Sequence, residues 1–428
     1  MTLEYAVYSI VFLLWTWTLS QGLGACVLGV RFCRFIRRRV ADDCDLREAD
    51  GRFRYRPPAV VIMPCCGVDE KLELTVHSLA RQNYDDYEVI FTFESEGDPA
   101  YACVRRWTED WTKPPARRVV AGRAENRSQK IHNLLAAIHT VRPDREVLLF
   151  LDSDAVPDTD WLGHMVAPLE DDTVGAATGY RWYVADGSLV AGVRCAWNAA
   201  TVSLLADDSL NLCWGGSTAV RRARFESLRV AQYWDQALSD DLQLTRAIRN
   251  GGLRICFVPQ ALIPNNDRTT LREFWNFARR QVIITRICDT KVWRAGARLC
   301  AAFMLGGVST VGVFFCGIFG WFGSRTAAWV ALAGWLVIIL LAGGAAVLRQ
   351  MGLRRVLRPP DLTWRDFLWD VGGTLTFAGS LHLHLMLSSL RTRRFTWRDT
   401  EYEMISPDRT RVVRRSASDR SGEGIERE

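Results

Sequence analysis

In the stretch LLFLDSDAV, Leu148 to Val156, an apolar run stops on two aspartates one residue apart. Val147 to Leu151 reads as a buried strand, and strand side chains alternate faces, so Asp152 and Asp154 are expected to emerge together at its carboxyl end. Held roughly 7 Å apart, two such carboxylates repel unless water or a cation sits beside them. Hard divalent cations take carboxylate oxygens and leave room for substrate phosphates. A solvated strand end entering the Pro157-Asp158 turn is the plainer alternative. Asp-x-Asp is short and common, so the surrounding elements must decide.

Those elements repeat the pattern. VVIMPCCG (Val60 to Gly67) reads as a strand running into a loop, and LELTVHSLARQ as the helix after it. YEVIFTFESEGD reads as a second strand ending in Glu94, Glu96 and Asp98, and SQKIHNLLAAIHTV as a helix with Lys130 in its first turn. Strands alternating with helices imply an α/β domain with a doubly wound, mainly parallel sheet, whose ligands gather beyond the strands' carboxyl ends. Each residue also has a structural reading. Asp98 before Pro99 starts a turn, and Glu94 and Glu96 form a solvated face. Lys130, where a lysine does nothing for the helix dipole, is either a surface lysine or a cation near a phosphate.

Farther on, WDQALSDDLQLTRAIRNGG places Ser239 as an N-cap, Asp240 and Asp241 at the positive end of a helix, and Gly251-Gly252 at its stop. A carboxylate held at such a terminus can still accept a proton from an alcohol. Upstream, Gly215 and Gly216 of LCWGGSTAVRR leave backbone open to an approaching acceptor, which Trp214 either lines or merely adjoins from the core. In LREFWNFARRQVIITRICDTKVW, Leu271, Phe274, Trp275, Ala278 and Val282 share one face, as in a basic amphipathic helix lying along lipid headgroups. Its Arg279 and Arg280 read either as lipid anchors or as clamps on a leaving diphosphate.

Hydropathy sets these elements beside a membrane. Tyr5 to Val30, Leu299 to Gly323 and Ala327 to Leu348 are long and apolar enough to cross a bilayer. Phe367 to Leu390, with Asp370, His382 and His384, is a weaker candidate, expected to be re-entrant or interfacial. The first segment lacks the basic start of a signal peptide and reads as an uncleaved anchor. Arg31, Arg34, Arg37, Arg38 and Arg39 place its carboxyl side, and the polar stretch that follows, in the cytoplasm. The net charge is only +6 and its arginines cluster near membrane segments, which speaks for topology and anionic lipids and against nucleic acid. The 12 cysteines include no C-x-x-C pair, so they form neither a zinc pattern nor a disulfide framework. The expected division is an anchor over 1–30, a basic linker over 31–58, a soluble domain over 59–268, the interfacial helix over 269–298, membrane helices over 299–390 and a basic tail over 391–428.

These pieces, in this order, resemble the membrane-bound family 2-type glycosyltransferases, and more closely family 21, the ceramide glucosyltransferases. GVDEKLELTVHSL, YDDYEVIF with GDPA, KIHNL, DSD, SDDLQLTRAI and FTWRDTEYEM carry the likeness, the last being the most discriminating. The resemblance implies a cytosolic GT-A (nucleotide-diphospho-sugar transferase) domain between an N-terminal transmembrane anchor and a C-terminal helix cluster. It implies a UDP-sugar donor contacted at Glu94 and Asp98, a divalent cation (Mg²⁺ or Mn²⁺) at Asp154 and Asp152, Lys130 on the donor side and Asp241 as general base. The interfacial helix corresponds to the family's (Gln/Arg)-x-x-Arg-Trp motif. A motif starting at Arg280 puts Ile283 and Ile284 where Arg-Trp is expected, which leaves acceptor stacking and part of the diphosphate clamp without an owner. The acceptor expected is a membrane lipid, ceramide first, with diacylglycerol, a hopanoid-type lipid or a polyprenyl phosphate as rivals. A catalytically silent membrane scaffold is the alternative of another class. Sugar and oligomeric state stay open at this level.

Overall fold

The structure, a computed structural model, describes residues 2–206, 208, 211–320, 325–357 and 361–415. The chain begins with α1 (Thr2–Ala41), β1 (Ala59–Pro64), α2 (Leu72–Leu79), β2 (Tyr87–Phe93), α3 (Pro99–Thr108), β3 (Ala116–Val120), α4 (Gln129–Ile138) and β4 (Val147–Leu151). It continues through α5 (Trp161–Val166), β5 (Val174–Tyr183), α6 (Leu189–Val202), β6 (Ser217–Arg221), α7 (Arg222–Ser227), α8 (Val230–Trp234), α9 (Asp240–Asn250) and β7 (Arg254–Asn265). Five helices follow among the described residues: α10 (Leu271–Cys288), α11 (Thr290–Ile318), α12 (Arg325–Leu353), α13 (Trp364–Thr376) and α14 (Ala378–Ser389). The last elements are β8 (Arg394–Trp397), β9 (Thr400–Ser406) and β10 (Arg409–Arg415). Two compact units result, one from residues 41–182, 207–267 and 391–428, the other from 1–40, 183–206 and 268–390.

The first unit is built on a seven-stranded sheet in the order β3-β2-β1-β4-β6-β5-β7. Both faces of its central strands are buried, so residues one apart enter opposite cores. Val61, Met63, Leu149 and Leu151 pack with Leu72 and Val76 of α2, Val104 of α3 and Met165 of α5. Val60, Ile62, Leu148 and Phe150 pack with Ile131 and Leu134 of α4 and Leu244 and Ile248 of α9. Each fully buried aliphatic side chain contributes about 1.5–3 kcal/mol, which is why these strands hold the frame.

The parallel sheet expected from the strand-helix alternation holds for β3, β2, β1 and β4. β6 departs from it, running antiparallel to both β4 and β5. The cause is local. Gly216, just before β6, already accepts from the Asp152 N–H at 3.3 Å, so β6 starts where β4 ends and has to run back along it.

The expected basic tail is also corrected. Strands β8, β9 and β10 form a second, antiparallel sheet in the same unit. In TEYEMIS, Tyr402 and Met404 are buried while Glu401 and Glu403 are half-buried, the period-2 pattern of a strand with one covered face. Residues 416–428 of that expected tail lie outside the described residues.

The second unit is helical. Ser9–Leu46, Leu189–Ala206, Thr290–Ile318 and Ala328–Leu353 are each long and apolar enough to cross a membrane. The run over α6 was not anticipated, because Arg194 and Asn198 interrupt its hydropathy; both are buried inside the unit. Phe367 to Leu390 is instead split near Phe377 into α13 and α14. At about 20 and 18 Å, neither helix spans a ~30 Å hydrocarbon core. Asp370 on α13 is buried and accepts from Arg349 Nε at 3.0 Å and Gln350 Nε2 at 2.8 Å. The helix expected over 269–298 breaks at Asp289, whose carboxylate accepts from the Val292 N–H at 3.0 Å and caps α11. Its apolar stripe, Phe274, Ala278 and Val282, packs on Leu385 of α14 and Trp197 of α6, so protein covers the face assigned to headgroups. Leu271 alone of that stripe stays exposed.

Candidate active site

β4 stops at Leu151, and the next residues fold into a turn in which the Ala155 N–H donates to the Asp152 carbonyl at 3.1 Å. Asp152 and Asp154 therefore stand just past the strand, and their convergence is the work of Arg181 on β5. Its guanidinium donates to both oxygens of Asp154, at 2.8 and 2.7 Å, and lies 3.7 Å from Asp152. Burial alone would raise the Asp154 carboxyl; the charge and hydrogen bonds of Arg181, reinforced by Arg398, hold it below the ordinary carboxylate range. Arg181 also lies 5.2 Å over the Trp214 ring.

Lys130 ties this pair to the next element. Ser128 caps α4 by accepting from the Ile131 N–H at 3.2 Å, which fixes Lys130 in the first turn. Its ammonium lies 2.8 Å from Asp152 and 3.1 Å from Asp240, and donates to the Gly215 carbonyl at 3.0 Å. Burial works against the charge, yet Asp152, Asp240 and Asp241 outweigh it and raise the lysine above its ordinary value. Read from sequence as either a surface lysine or a cation near a phosphate, Lys130 is buried and bonded to three protein oxygens. Asp240 carries the cost: burial pushes its carboxyl up to about 6 despite Lys130. A Cβ at 215 would meet Asp240 at 2.6 Å and Lys130 Nζ at 2.7 Å, so any other residue there displaces that ion pair. A Cβ on Gly216 would strike the Trp214 ring at 2.2 Å.

Asp241 completes the cluster at the N-terminus of α9. Ser239 caps the helix, and one Asp241 oxygen accepts from the Ser239 hydroxyl and from the Leu242 N–H at 2.7 Å. The other oxygen faces the Gly215 N–H at 3.4 Å, a weak bond. One oxygen anchored and one lightly held is an arrangement suited to taking a proton. Asp154, Arg181, Asp152, Lys130, Gly215 and Asp241 thus form one continuous chain of contacts beyond the carboxyl end of β4.

Two expected residues are placed elsewhere in the same unit. Asp98 caps α3, accepting from the Ala100 N–H at 2.8 Å and the Gly67 N–H at 2.9 Å, which realises its turn-starting reading. Glu94, past the end of β2, accepts two bonds from Arg415 at 3.0 and 3.1 Å. Arg279 and Arg280 lie on α10 in the helical unit, where Arg280 sits 5.4 Å over Phe277. Arg181, Asp69 and Arg398 escaped the sequence reading. Asp69, in the loop after β1, has its carboxyl raised by burial and then by the charge of Asp154; it and Arg398 lie in GVDEKLELTVHSL and FTWRDTEYEM, stretches that carry the family likeness, while no local pattern marks Arg181.

Among the described residues, no group of three or more His, Cys, Asp or Glu side chains forms a ready ligand set. Asp152 and Asp154 offer two carboxylates, which suits a Mg²⁺ or Mn²⁺ that completes its shell with water and substrate phosphates. For such an ion to reach Asp154, Arg181 must first release one of that carboxylate's oxygens.

Comparison with solved structures finds distant likenesses. A mannosyltransferase from Pyrobaculum calidifontis, PcManGT, solved with GDP-Man and Mn²⁺, is 18% identical over 87% of this chain and 99% of its own, with a TM-score of 0.46. Glucosyl-3-phosphoglycerate synthase from Mycobacterium tuberculosis, solved with phosphoglyceric acid, is 14% identical over 53% of this chain and 78% of its own, with a TM-score of 0.37. The glycosyl transferase family 21 profile matches residues 25–409, which takes in the Asp-x-Asp, the Lys130 helix, Asp241 and most of the terminal sheet. The protein belongs to glycosyl transferase family 21 and is a glycosyltransferase.

Proposed function

We propose that this chain is a membrane-bound inverting enzyme that moves a sugar, glucose first, from a UDP-sugar to the hydroxyl of a membrane lipid, ceramide first. The observation that carries the reading is the unbroken run from Asp154 through Arg181, Asp152 and Lys130 to Asp241. It joins the Asp-x-Asp to Asp241 in one cluster of a family 21 chain that also carries membrane-length helices.

In the mechanism, the second oxygen of Asp241 accepts the proton of the acceptor hydroxyl, a step typically worth ~10² to 10⁴ in rate. The oxygen so activated attacks the anomeric carbon from the face opposite the diphosphate, inverting the configuration. Asp152 and Asp154 would hold a divalent cation, which when bound supplies charge neutralisation for the departing diphosphate. Arg181, freed from Asp154 as that site loads, stands ready to hold phosphate oxygens in its place. Lys130 keeps Asp152, Asp240 and the Gly215 carbonyl at fixed distances, so base and diphosphate side do not drift apart.

The test is to incubate membranes from an expressing host with labelled UDP-sugars and a panel of ceramide, diacylglycerol, hopanoid-type and polyprenyl phosphate acceptors, then identify products by mass spectrometry. A glycolipid should form that vanishes in Asp241→Asn, and its lipid part names the acceptor. Undiminished product from Asp241→Asn removes that residue from the base role. Absence of product with every donor, together with absence of UDP binding, supports the silent-scaffold alternative.

A further inference from the structure

The terminal sheet stands over the elements that carry the site. Arg415, its side chain 8% exposed, donates to Glu94 past the end of β2 and to the Ala124 carbonyl ahead of α4. The Gln129 N–H at the start of α4 donates to the Tyr402 hydroxyl at 3.4 Å. Gln243 on α9 donates to the Pro407 carbonyl, and Arg246 pairs with Asp408. The sheet is therefore fastened to β2, α4 and α9, the elements bearing Glu94, Lys130 and Asp241.

Its hairpin turn carries an anomaly. Trp397 pairs with Thr400, which leaves Arg398 and Asp399 as a two-residue turn. Arg398 adopts φ +53, a left-handed conformation for which glycine, asparagine or aspartate is the ordinary occupant. Such strain persists where the surroundings impose it, and it clusters at ligand sites. The guanidinium it presents is half exposed, and its partner is Asp69 at 3.7 Å, longer than a hydrogen bond. Asp69 lies in the loop beyond β1, and β1 pairs in parallel with β4, so the loops after their carboxyl ends, with Asp69 on one and Asp154 on the other, share one edge of the sheet. A planar donor fork thus hangs over the carboxylate loop without close hydrogen bonds of its own.

We propose that Arg398 is a donor-binding residue: the terminal sheet completes the nucleotide-sugar site by holding its guanidinium against the diphosphate beside Asp69 and Asp154. This rests on the nucleotide-sugar reading above. Guanidinium and phosphate match in bidentate geometry, which a lysine ammonium does not reproduce.

The experiment uses the full chain purified in detergent, with UDP and Mn²⁺ as probes, titrated calorimetrically against wild type, Arg398→Gly, Arg398→Lys and Asp154→Asn, with the unliganded Tm of each. Glycine takes the positive φ without strain, so Arg398→Gly should keep or raise the Tm while weakening UDP binding at least tenfold. Arg398→Lys should fall between it and wild type. UDP affinity unchanged in Arg398→Gly, with wild type binding and Asp154→Asn impaired, overturns the assignment and leaves the donor reading standing. A fall in Tm that accompanies the lost affinity in Arg398→Gly also overturns it, by reducing the residue to a structural role. Absence of UDP binding by wild type overturns both readings together.

Discussion

Lys130 is the residue on which the site's geometry hinges. It is one ammonium shared by two carboxylates and a carbonyl, with a side chain only 12% exposed. Removing one partner of a buried ionic cluster leaves charge uncompensated, which costs about 3–5 kcal/mol, whereas removing opposite charges together costs far less. Lys130→Met should therefore lower the thermal midpoint sharply, and the double variant Lys130→Met/Asp240→Asn should recover part of the loss. The coupling between the two positions should be about 1–3 kcal/mol in the rescuing direction, read from a double-mutant cycle in detergent. Both variants should lose transfer activity, since Asp152 and Gly215 lose the group that spaces them. If Lys130→Met is as stable as wild type, the ammonium does not balance the cluster.

At the scale of elements, the Arg415–Glu94 pair is one of the ties that fasten the terminal sheet, and it holds the end of the last strand. Charge-assisted hydrogen bonds of this kind contribute about 1.5–3 kcal/mol. Arg415→Ala should speed amide exchange across 394–415 by about 30-fold, corresponding to about 2 kcal/mol at 1.4 kcal/mol per decade. Exchange in β1 and β4 should stay as in wild type, because local opening follows local contacts. A uniform rise over the whole sheet unit would show instead that the terminal strands are part of its core. These same elements show what a sequence makes legible. β1, β4, α4 and α9 announce themselves through period, caps and stops that lie within a dozen residues, as with Ser239, Asp240 and Gly251. The direction of β6 is set by its partner strand, and the place of Arg181 by β5 lying next to β6, so both depend on residues distant along the chain. β9 was hidden because the arginines of the flanking strands β8 and β10 made the whole stretch read as a basic tail, and α10 was misread because an apolar stripe looks the same whether lipid or protein covers it. Asp152, Asp154, Asp241 and Lys130 were visible from the start; Arg181, Arg398 and Asp69, which complete the pairing, were not.

The whole molecule constrains its own topology. β5 and β6 flank α6 along the chain, yet Ala177 pairs with Ala219 in one sheet, so both ends of α6 lie on the same side of any membrane. The α6 run, though long and apolar enough to span, is thereby excluded as a single crossing. The same reasoning reaches the C-terminus. Arg415 is bonded to Glu94, so the chain between Asn265 and Arg394 must cross an even number of times. If α11 and α12, both long and apolar enough to span, each cross once, they make that number two, and the short α13 and α14 then enter and return without crossing. Basic residues agree with that path: they sit at the end of α1 (Arg38, Arg39), the start of α11 (Lys291, Arg294, Arg298) and the end of α12 (Arg349). Membrane-impermeant maleimide applied to intact host cells should therefore leave Cys44 and Cys66, both exposed on the sheet unit, unmodified until the cells are opened. In a background lacking those two cysteines, Phe319→Cys at the end of α11 should react from outside, and Arg391→Cys should react only after opening. Reaction of Arg391→Cys in intact cells would mean that α13 and α14 together form a crossing, and the bond between Arg415 and Glu94 could not exist in the membrane-inserted protein.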